Sequence, residues 1–520
     1  MFQLPLDRRR PETYGRVTRN MFHSLRSDVD RNIVVDQSFT LPWTGSTALD
    51  YGDSVALSPT SRRNFLRIAA GGVATAGLAA CGGTSGPSSG SSSSSATSAS
   101  SAASGSSAAG GSGGAVKGTA TYWTLSGQPG EKIRKDTVQR WNAANPDAQI
   151  TISVFQNDAY KTKIKTALGA GQGPTVIWGW GGGGLKSFSD AGLVEDLTSW
   201  IAANPALKAK LFPSSFGAAT IGGKIYAMPA ETVQPIVMYY NKQVFDKVGV
   251  KPPTTWAETM ALVPKFNAAG IAPFSLGGQS RWTNMMWLEF LFDRIGGSQV
   301  FEAIFNGEKN GWSNPASIEA LTQLQTLVKA QGFIKGFSSI TADSNADQAL
   351  LYTGKAAMML HGSWVYGAIK DANPGFVSAG NLGYMNFPIV EGGKGDPTDT
   401  VGNPGQYVSI NAKASDAEKA IAKKFFTDAI LSEAEVKEWV DNGNIPIVKG
   451  SDSLLGASKD AAWQQFQYKV ASGAKVFAQS WDQALSPASA EVLLDNISKL
   501  FQLSITPQQF ATNMNQVIGK

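Results

Sequence analysis

The chain has 520 residues, with 45 Lys and Arg against 40 Asp and Glu, two His and one Cys, for a formal net charge of +5. Beyond residue 80 the balance is closer, 35 basic against 33 acidic residues, and no basic stripe with interleaved aromatics occurs, which argues against a nucleic-acid partner. A single cysteine excludes an intramolecular disulfide, and with only His361 beyond the first 80 residues the inventory excludes zinc sites built from His and Cys and any Ser/His/Asp or Cys/His catalytic group that His361 does not serve.

Residues 1–60 carry an Arg8–Arg10 run and no helical or strand periodicity, and read as a poorly structured extension or as sequence ahead of the true translation start, with Val55 a conceivable alternative. Residues 61–81 place Arg62 and Arg63 before Phe65 and Leu66, then an apolar run from Ile68 to Ala80 that ends in Leu-Ala-Ala-Cys. This segment resembles a twin-arginine lipoprotein signal: small residues suit a signal peptidase that needs a slim extended substrate, and the Cys81 thiol is a nucleophile able to accept a diacylglyceryl group. The stretch is short of the roughly 18 apolar residues a transmembrane span needs, and it carries Arg67. Residues 82–117, almost entirely Ser, Gly and Ala, read as a flexible tether with a reach of roughly 30 to 35 Å. Everything after Cys81 is therefore expected outside the cytoplasm, lipid-anchored to the outer face of the cell membrane.

Residues 118–520 are long enough for two lobes with separate cores, and their order of strand and helix predicts an α/β fold. ATYWTL predicts a first strand, Gly130 to Asn145 an amphipathic helix stopped by Pro146, and AQITISVF a second, alternating strand. KTKIKTALGAG predicts a helix ending in glycine, and PTVIWGW a third strand and its loop. Further on, MYYNK reads as a crossing strand, followed by a short helix, a rigid Pro252–Pro253 corner and a helix capped by Thr254 or Thr255. SIEALTQLQTLVKAQG reads as helix, KAAMMLHG as a strand ending where Gly362 and Ser363 let Trp364 project, and AEKAIAKKFFTDAIL as helix.

Thirteen of the 14 tryptophans lie in this domain. Most are expected in the core, but Trp178, Trp180, Trp282, Trp364 and Trp481 sit beside Gly, Ser, Asn or Asp, where an indole can be presented. A flat apolar ring with polar neighbours suits a sugar, which offers an aliphatic C–H face to stack and a rim of hydroxyls. His361, a lone histidine after an apolar run, reads as packed or solvated rather than as a base.

Seven motifs in order resemble the extracellular solute-binding proteins of carbohydrate ABC importers, the family of maltose-binding protein: GQGPTVIWGWGGG from Gly171, GGKIYAMPAE from Gly222, MYYNKQVFDKVGVKPPTTWAE from Met238, AGIAPFSLGG from Ala269, ALLYTGKAAMMLHGSW from Ala349, LGYMNFPIVEGG from Leu382 and GNIPIVKG from Gly443. The resemblance implies a two-lobe periplasmic-binding-protein-like fold of type II with a hinge and a central cleft. It implies lobe 1 at about 118–236 and 402–450 and lobe 2 at about 237–401 and 451–520, closing about the strand into Tyr239, Tyr240 and Asn241 and a second crossing near Gly402–Gly405. It implies a monomer that binds a carbohydrate and hands it to permease subunits driven by a cytoplasmic ATPase, with no catalytic residue, cofactor or metal. By the same resemblance, stacking falls to Trp364 and Trp481, then to Trp178, Trp180 and Trp282. Polar contacts fall to Glu231, Gln234, Asn284, Glu289, Asn403, Gln406 and Asp482, although a surface salt bridge or a helix cap is the alternative for each acidic residue. Ser126 and Gln128, in WTLSGQ, stand where the family has a polar cluster.

Three rivals remain to be weighed. GWGGGG lacks the Walker spacing GxxxxGK(S/T) and is not read as a usable GxGxxG opening a helix, so a phosphate cradle falls away. A secreted glycosidase would share the sugar stacking, yet no motif nominates its carboxylate pair. A sugar sensor that signals through a membrane partner is the third.

Overall fold

The computed structural model describes residues 116–518. Residues 1–60, the Arg62–Arg63 pair, Cys81 and the tether up to residue 115 lie outside the described residues.

Fourteen strands occur among the described residues: β1 (Gly118–Leu125), β2 (Ala148–Phe155), β3 (Val176–Gly179), β4 (Thr220–Ile221), β5 (Lys224–Ile225), β6 (Met228–Ala230), β7 (Thr232–Asn241), β8 (Ala272–Ser275), β9 (Ala356–Gly362), β10 (Leu382–Met385), β11 (Thr400–Asn403), β12 (Gln406–Ile410), β13 (Ile445–Pro446) and β14 (Phe477–Gln479). One sheet runs β2-β1-β3-β12-β6, and a second runs β14-β11-β7-β9-β8 with β10 and β13 also on β7. In the first, β1 pairs in parallel with β2 and β3, and β12 enters antiparallel to β3 and β6. Parallel strands need crossover helices, and those helices cover both faces. Accordingly β9 is buried along its whole length, Ala356 to Gly362.

Each sheet has its own core, which makes the fold a two-lobe α/β structure. Tyr122, Trp141, Ile150, Val176, Phe425 and Phe426 pack around the first sheet. Met238, Phe274, Trp287, Phe290, Leu321, Leu360 and Trp481 belong to the larger core on the second. A smaller cluster centres on Trp463, whose indole stacks on Tyr366 at 4.6 Å with the rings 6° from parallel.

Hydrogen bonds from distant parts of the chain hold it where it passes between the sheets. β6 lies in the first sheet and β7 in the second, and Glu231 alone joins them, at φ 63°. A non-glycine residue in the left-handed region needs its surroundings to hold it. Here the Glu231 carbonyl accepts the Ile447 N–H at 3.0 Å, and Gln406 Oε1 accepts the N–H of the next residue, Thr232, at 3.0 Å. β11 pairs with β7 through Gly402–Pro235 and Asn403–Gln234, and two residues later β12 is in the first sheet. β13, paired with Val233 and Thr232, adds a third segment beside β7.

Beyond β7, Asn241 caps the helix Lys242–Val248 by accepting the Val244 N–H, and Gly249 at φ 73° ends it. Of the two expected caps after Pro253, Thr255 is the one used, in a capping box with Glu258, while Thr254 donates to the same carboxylate. The helix predicted over KTKIKTALGAG begins earlier, at Asn157, because Gln156 is already extended and serves as its N-cap position. The third strand and its loop fall within PTVIWGW as expected: the strand stops at Gly179, which leaves Trp180 in a loop turned by Gly181 at φ 75°.

Candidate functional site

A cavity of about 180 Å³ lies between the two lobes. Its first-lobe wall is the loop after β1, including Ser126 and Gln128, together with Arg134, Lys161, Trp178 and Trp180. Opposite stand Trp282, Asp343, Gln348, His361 and Trp364, and between them Gln234, Asn403, Trp439, Asp482 and Gln483. Strand ends deliver the aromatic residues: Trp178 from β3, and Trp364 two residues past β9, the place where open α/β sheets expose ligand sites.

The first wall is organised by an ion pair. Arg134, on the helix Gly130–Ala144, donates through Nε and Nη2 to both oxygens of Glu231 at 2.7 and 2.8 Å, and through Nη1 to the Leu125 carbonyl at 3.2 Å. Its guanidinium lies 5.2 Å from the Trp178 ring and 5.8 Å from that of Trp439, a cation between two π faces. Trp178 Nε1 donates to Glu231 Oε1 at 2.7 Å, so one carboxylate holds both the cation and the indole. Nearby, burial pushes the Glu435 carboxyl up to about 8. Trp180 meets Trp178 edge-on at 4.7 Å and keeps a partly exposed ring.

On the second wall, Trp282 and Trp364 lie 6.2 Å apart, each edge-on to His361 at 5.3 and 5.4 Å. The Trp364 ring folds back over Gly362, where an added Cβ would sit 1.8 Å from it, so only glycine fits there. His361 Nδ1 accepts the Gly362 N–H at 2.9 Å, which leaves the proton on Nε2, 3.4 Å from Asp347 Oδ2. Among the lining groups, Trp282 Nε1, Trp439 Nε1, Asp343 Oδ1 and Gln483 Oε1 are buried without a hydrogen-bond partner. Buried polar atoms are rarely left so; a solute bearing many hydroxyls would satisfy both the donors and the acceptors.

Contacts cross the cleft at its edges. Lys161 pairs with Asp482 at 2.7 Å, Gln479 Nε2 donates to the Trp180 carbonyl at 2.8 Å, and the Asp158 N–H donates to Asp343 Oδ2 at 3.0 Å. Partial burial, then the facing Asp343 carboxylate, raises the Asp158 carboxyl to about 6. With the lobes apart it would return to the ordinary range near 3.9. Were the lobes to part, that proton would be released, so closure would weaken as pH rises through that window. Solute affinity should be a few-fold higher at pH 5 than at pH 7.5, and Asp158→Asn should remove most of that difference in calorimetric titrations at the two pH values.

Of the sequence-nominated residues, Trp178, Trp180, Trp282, Trp364, Gln234, Asn403 and Asp482 line this cavity together, with Ser126 and Gln128. Asn403 Nδ2 donates to Gln234 Oε1 at 3.0 Å, tying two of them into one unit on paired strands. Five others stand elsewhere. Trp481 is corrected from sugar stacker to packing residue, because its indole is only 2% exposed and stacks on Phe301 at 3.9 Å and 3°, with Phe292 and Trp312 edge-on. Glu289, also buried, accepts the Trp481 backbone N–H at 2.6 Å. Glu231 is the salt-bridge partner just described, Gln406 is spent on Thr232, and Asn284 is buried in the helix Trp282–Gly296 away from the cleft lining. Sequence reasoning missed Arg134, Lys161 and Trp439. Arg134 and Lys161 sit in helices whose charges read as a solvated face, and Trp439 in one whose aromatic reads as core; no local signal sets them apart.

The chain belongs to the bacterial extracellular solute-binding protein family, whose model matches residues 124–437, more than half its length. It is similar to a maltotriose-binding protein of Pyrococcus abyssi, 27% identical over 259 residues, covering 48% of this chain and 50% of that protein. It is also similar to a multiple sugar-binding protein of Streptococcus mutans, 29% identical over 238 residues, covering 44% of this chain and 53% of that one. The chain thus spans about half the length of these curated relatives. A solved structure from work on xylan utilisation by Caldanaerobius polysaccharolyticus matches with 33% identity and a TM-score of 0.69, covering 76% of this chain and 99% of that one.

Proposed function

We propose that the protein captures a xylan-derived oligosaccharide between its lobes and delivers it, unaltered, to the permease of an ABC importer. The observation that carries this reading is Trp180, backed by the buried Trp178, on one wall of the cleft and Trp282 with Trp364 on the other, amid polar groups lacking partners. Such walls sandwich a sugar ring by its C–H faces while its hydroxyls meet the unpaired donors and acceptors. The choice of xylan follows from the Caldanaerobius likeness, which extends over nearly all of that chain. Contacts from both lobes exist only when the cleft is shut, so the solute favours closure by its greater affinity for that state. In this reading lobe 1 comprises about 118–236 and 402–450, lobe 2 the remainder, and β7 with the Gly402–Gly405 segment forms the hinge.

Titration calorimetry with xylobiose, xylotriose and xylotetraose, alongside maltotriose and chitobiose, tests the assignment. Xylo-oligosaccharides should bind at least tenfold more tightly than the others and be recovered intact after incubation. Preference for maltotriose would move the assignment to another sugar class, and shortened products would make the protein a glycosidase.

Anchoring is the second part of the proposal. Export through Arg62 and Arg63 and lipidation at Cys81 would hold the domain at the outer membrane face on its Ser/Gly/Ala tether. Cys81→Ser should abolish incorporation of labelled fatty acid and release the protein from the membrane fraction; equal labelling of both forms would refute lipidation.

A further inference from the structure

A second cavity, of about 410 Å³, opens at a different place between the lobes. It lies within the roughly 300–1,000 Å³ range of small-molecule sites. One wall is Gly182–Gly183 at the start of a first-lobe helix, the other is Phe301 and Trp481, and strands β11 and β14 form its floor through Val401 and Ala478.

Three buried polar atoms interrupt this apolar surface without partners: Ser214 Oγ, and Glu289 Oε2 and Thr400 Oγ1 on side chains 1% and 3% exposed. Glu289 Oε1 is occupied by the Trp481 N–H, so the free oxygen is the one left for a ligand. Burial raises the Glu289 carboxyl well above the usual range, which favours its neutral form. At the margin Lys186 pairs with Asp190 at 2.6 Å and Asp293 with Arg294, while the exposed Glu302 has no ion pair among the described residues. An anionic occupant would therefore find no unpaired countercharge there, and a cation would meet only a solvated carboxylate.

We propose that this cavity is a second binding site, separate from the tryptophan cleft, for a small uncharged molecule with an aromatic or aliphatic body and one hydroxyl, amine or carbonyl group. The body fills the space between Phe301 and Gly183, and the polar group meets Glu289 Oε2 and Thr400 Oγ1. An oligosaccharide is a poor occupant, since its many hydroxyls would face Val401, Ala478 and Phe301 unpaired.

The probe for the test is N-phenyl-1-naphthylamine, a neutral aromatic amine whose emission rises on leaving water, titrated into the full chain. Saturable one-to-one binding is expected, with affinity at least tenfold weaker in Ala478→Phe, which fills the cavity from its floor, and unchanged in Trp364→Ala, which alters only the cleft. Should Ala478→Phe melt early, Ser298→Trp blocks the cavity from the opposite wall and should weaken binding equally. Unsaturable binding, indifference to both filling substitutions, or loss of binding in Trp364→Ala would overturn the proposal. No sugar enters the measurement, so its outcome is independent of which solute the cleft takes.

Discussion

Arg134→Met should destabilise the protein by about 3–5 kcal/mol, because it removes the partner of a buried carboxylate and leaves Glu231, 2% exposed, with an uncompensated charge. The same substitution withdraws the cation from between Trp178 and Trp439, so binding of the solute in the cleft should fall as well. A double variant, Arg134→Met with Glu231→Gln, should recover most of the stability, since a neutral amide can still accept from Trp178 Nε1. It should not recover the affinity. Urea denaturation of the three proteins checks the first expectation and calorimetry the second. A single variant as stable as the parent would mean that water reaches Glu231.

Trp364→Ala should weaken binding of the xylo-oligosaccharide by roughly 2–4 kcal/mol, about 30- to 1,000-fold, as befits an aromatic hot spot in a desolvated site. Its thermal midpoint should change little, since the ring is only partly buried and lies on Gly362 at the cleft surface. Trp481→Ala should do the reverse. Loss of an indole packed against Phe301, Phe292 and Trp312 should cost stability of about 3–5 kcal/mol. Trp481→Phe, which restores most of the volume, should bind solute like the parent. Weaker binding by a well-folded Trp481→Phe would return this residue to the cleft.

Local chemistry made much of the fold legible. The alternation in AQITISVF and the cap at Thr254 or Thr255 lie within a few residues of the structure they specify, and β1, β2 and the helix after Pro253 stand where expected. Trp178, Trp180, Trp282 and Trp364 were readable because glycine or polar neighbours mark the ends of strands and helices, where a ring is presented. Trp481 carries the same local signature, Ser before it and Asp after. Its fate is decided by Phe301, which faces its ring from a remote helix and which no neighbouring residue announces. Arg134 and Glu231 likewise stand 97 residues apart; alone, Arg134 reads as part of a solvated helix face and Glu231 as a sugar contact or a surface salt bridge. Partners at such separation are chosen by the packing of whole elements, so their roles become visible only once both lobes are built.

The single-residue link at Glu231 has a mechanical meaning. Its backbone, left-handed and hydrogen-bonded to Ile447, is the joint through which the chain leaves one lobe for the other, while its carboxylate grips the indole of Trp178 and the guanidinium behind it. One side chain thus ties the crossing between the two sheets to the buried indole behind Trp180. In the proposed reading, a rotation of the backbone at this crossing would shift Trp178 and, through their edge-on contact, Trp180 at the cleft surface.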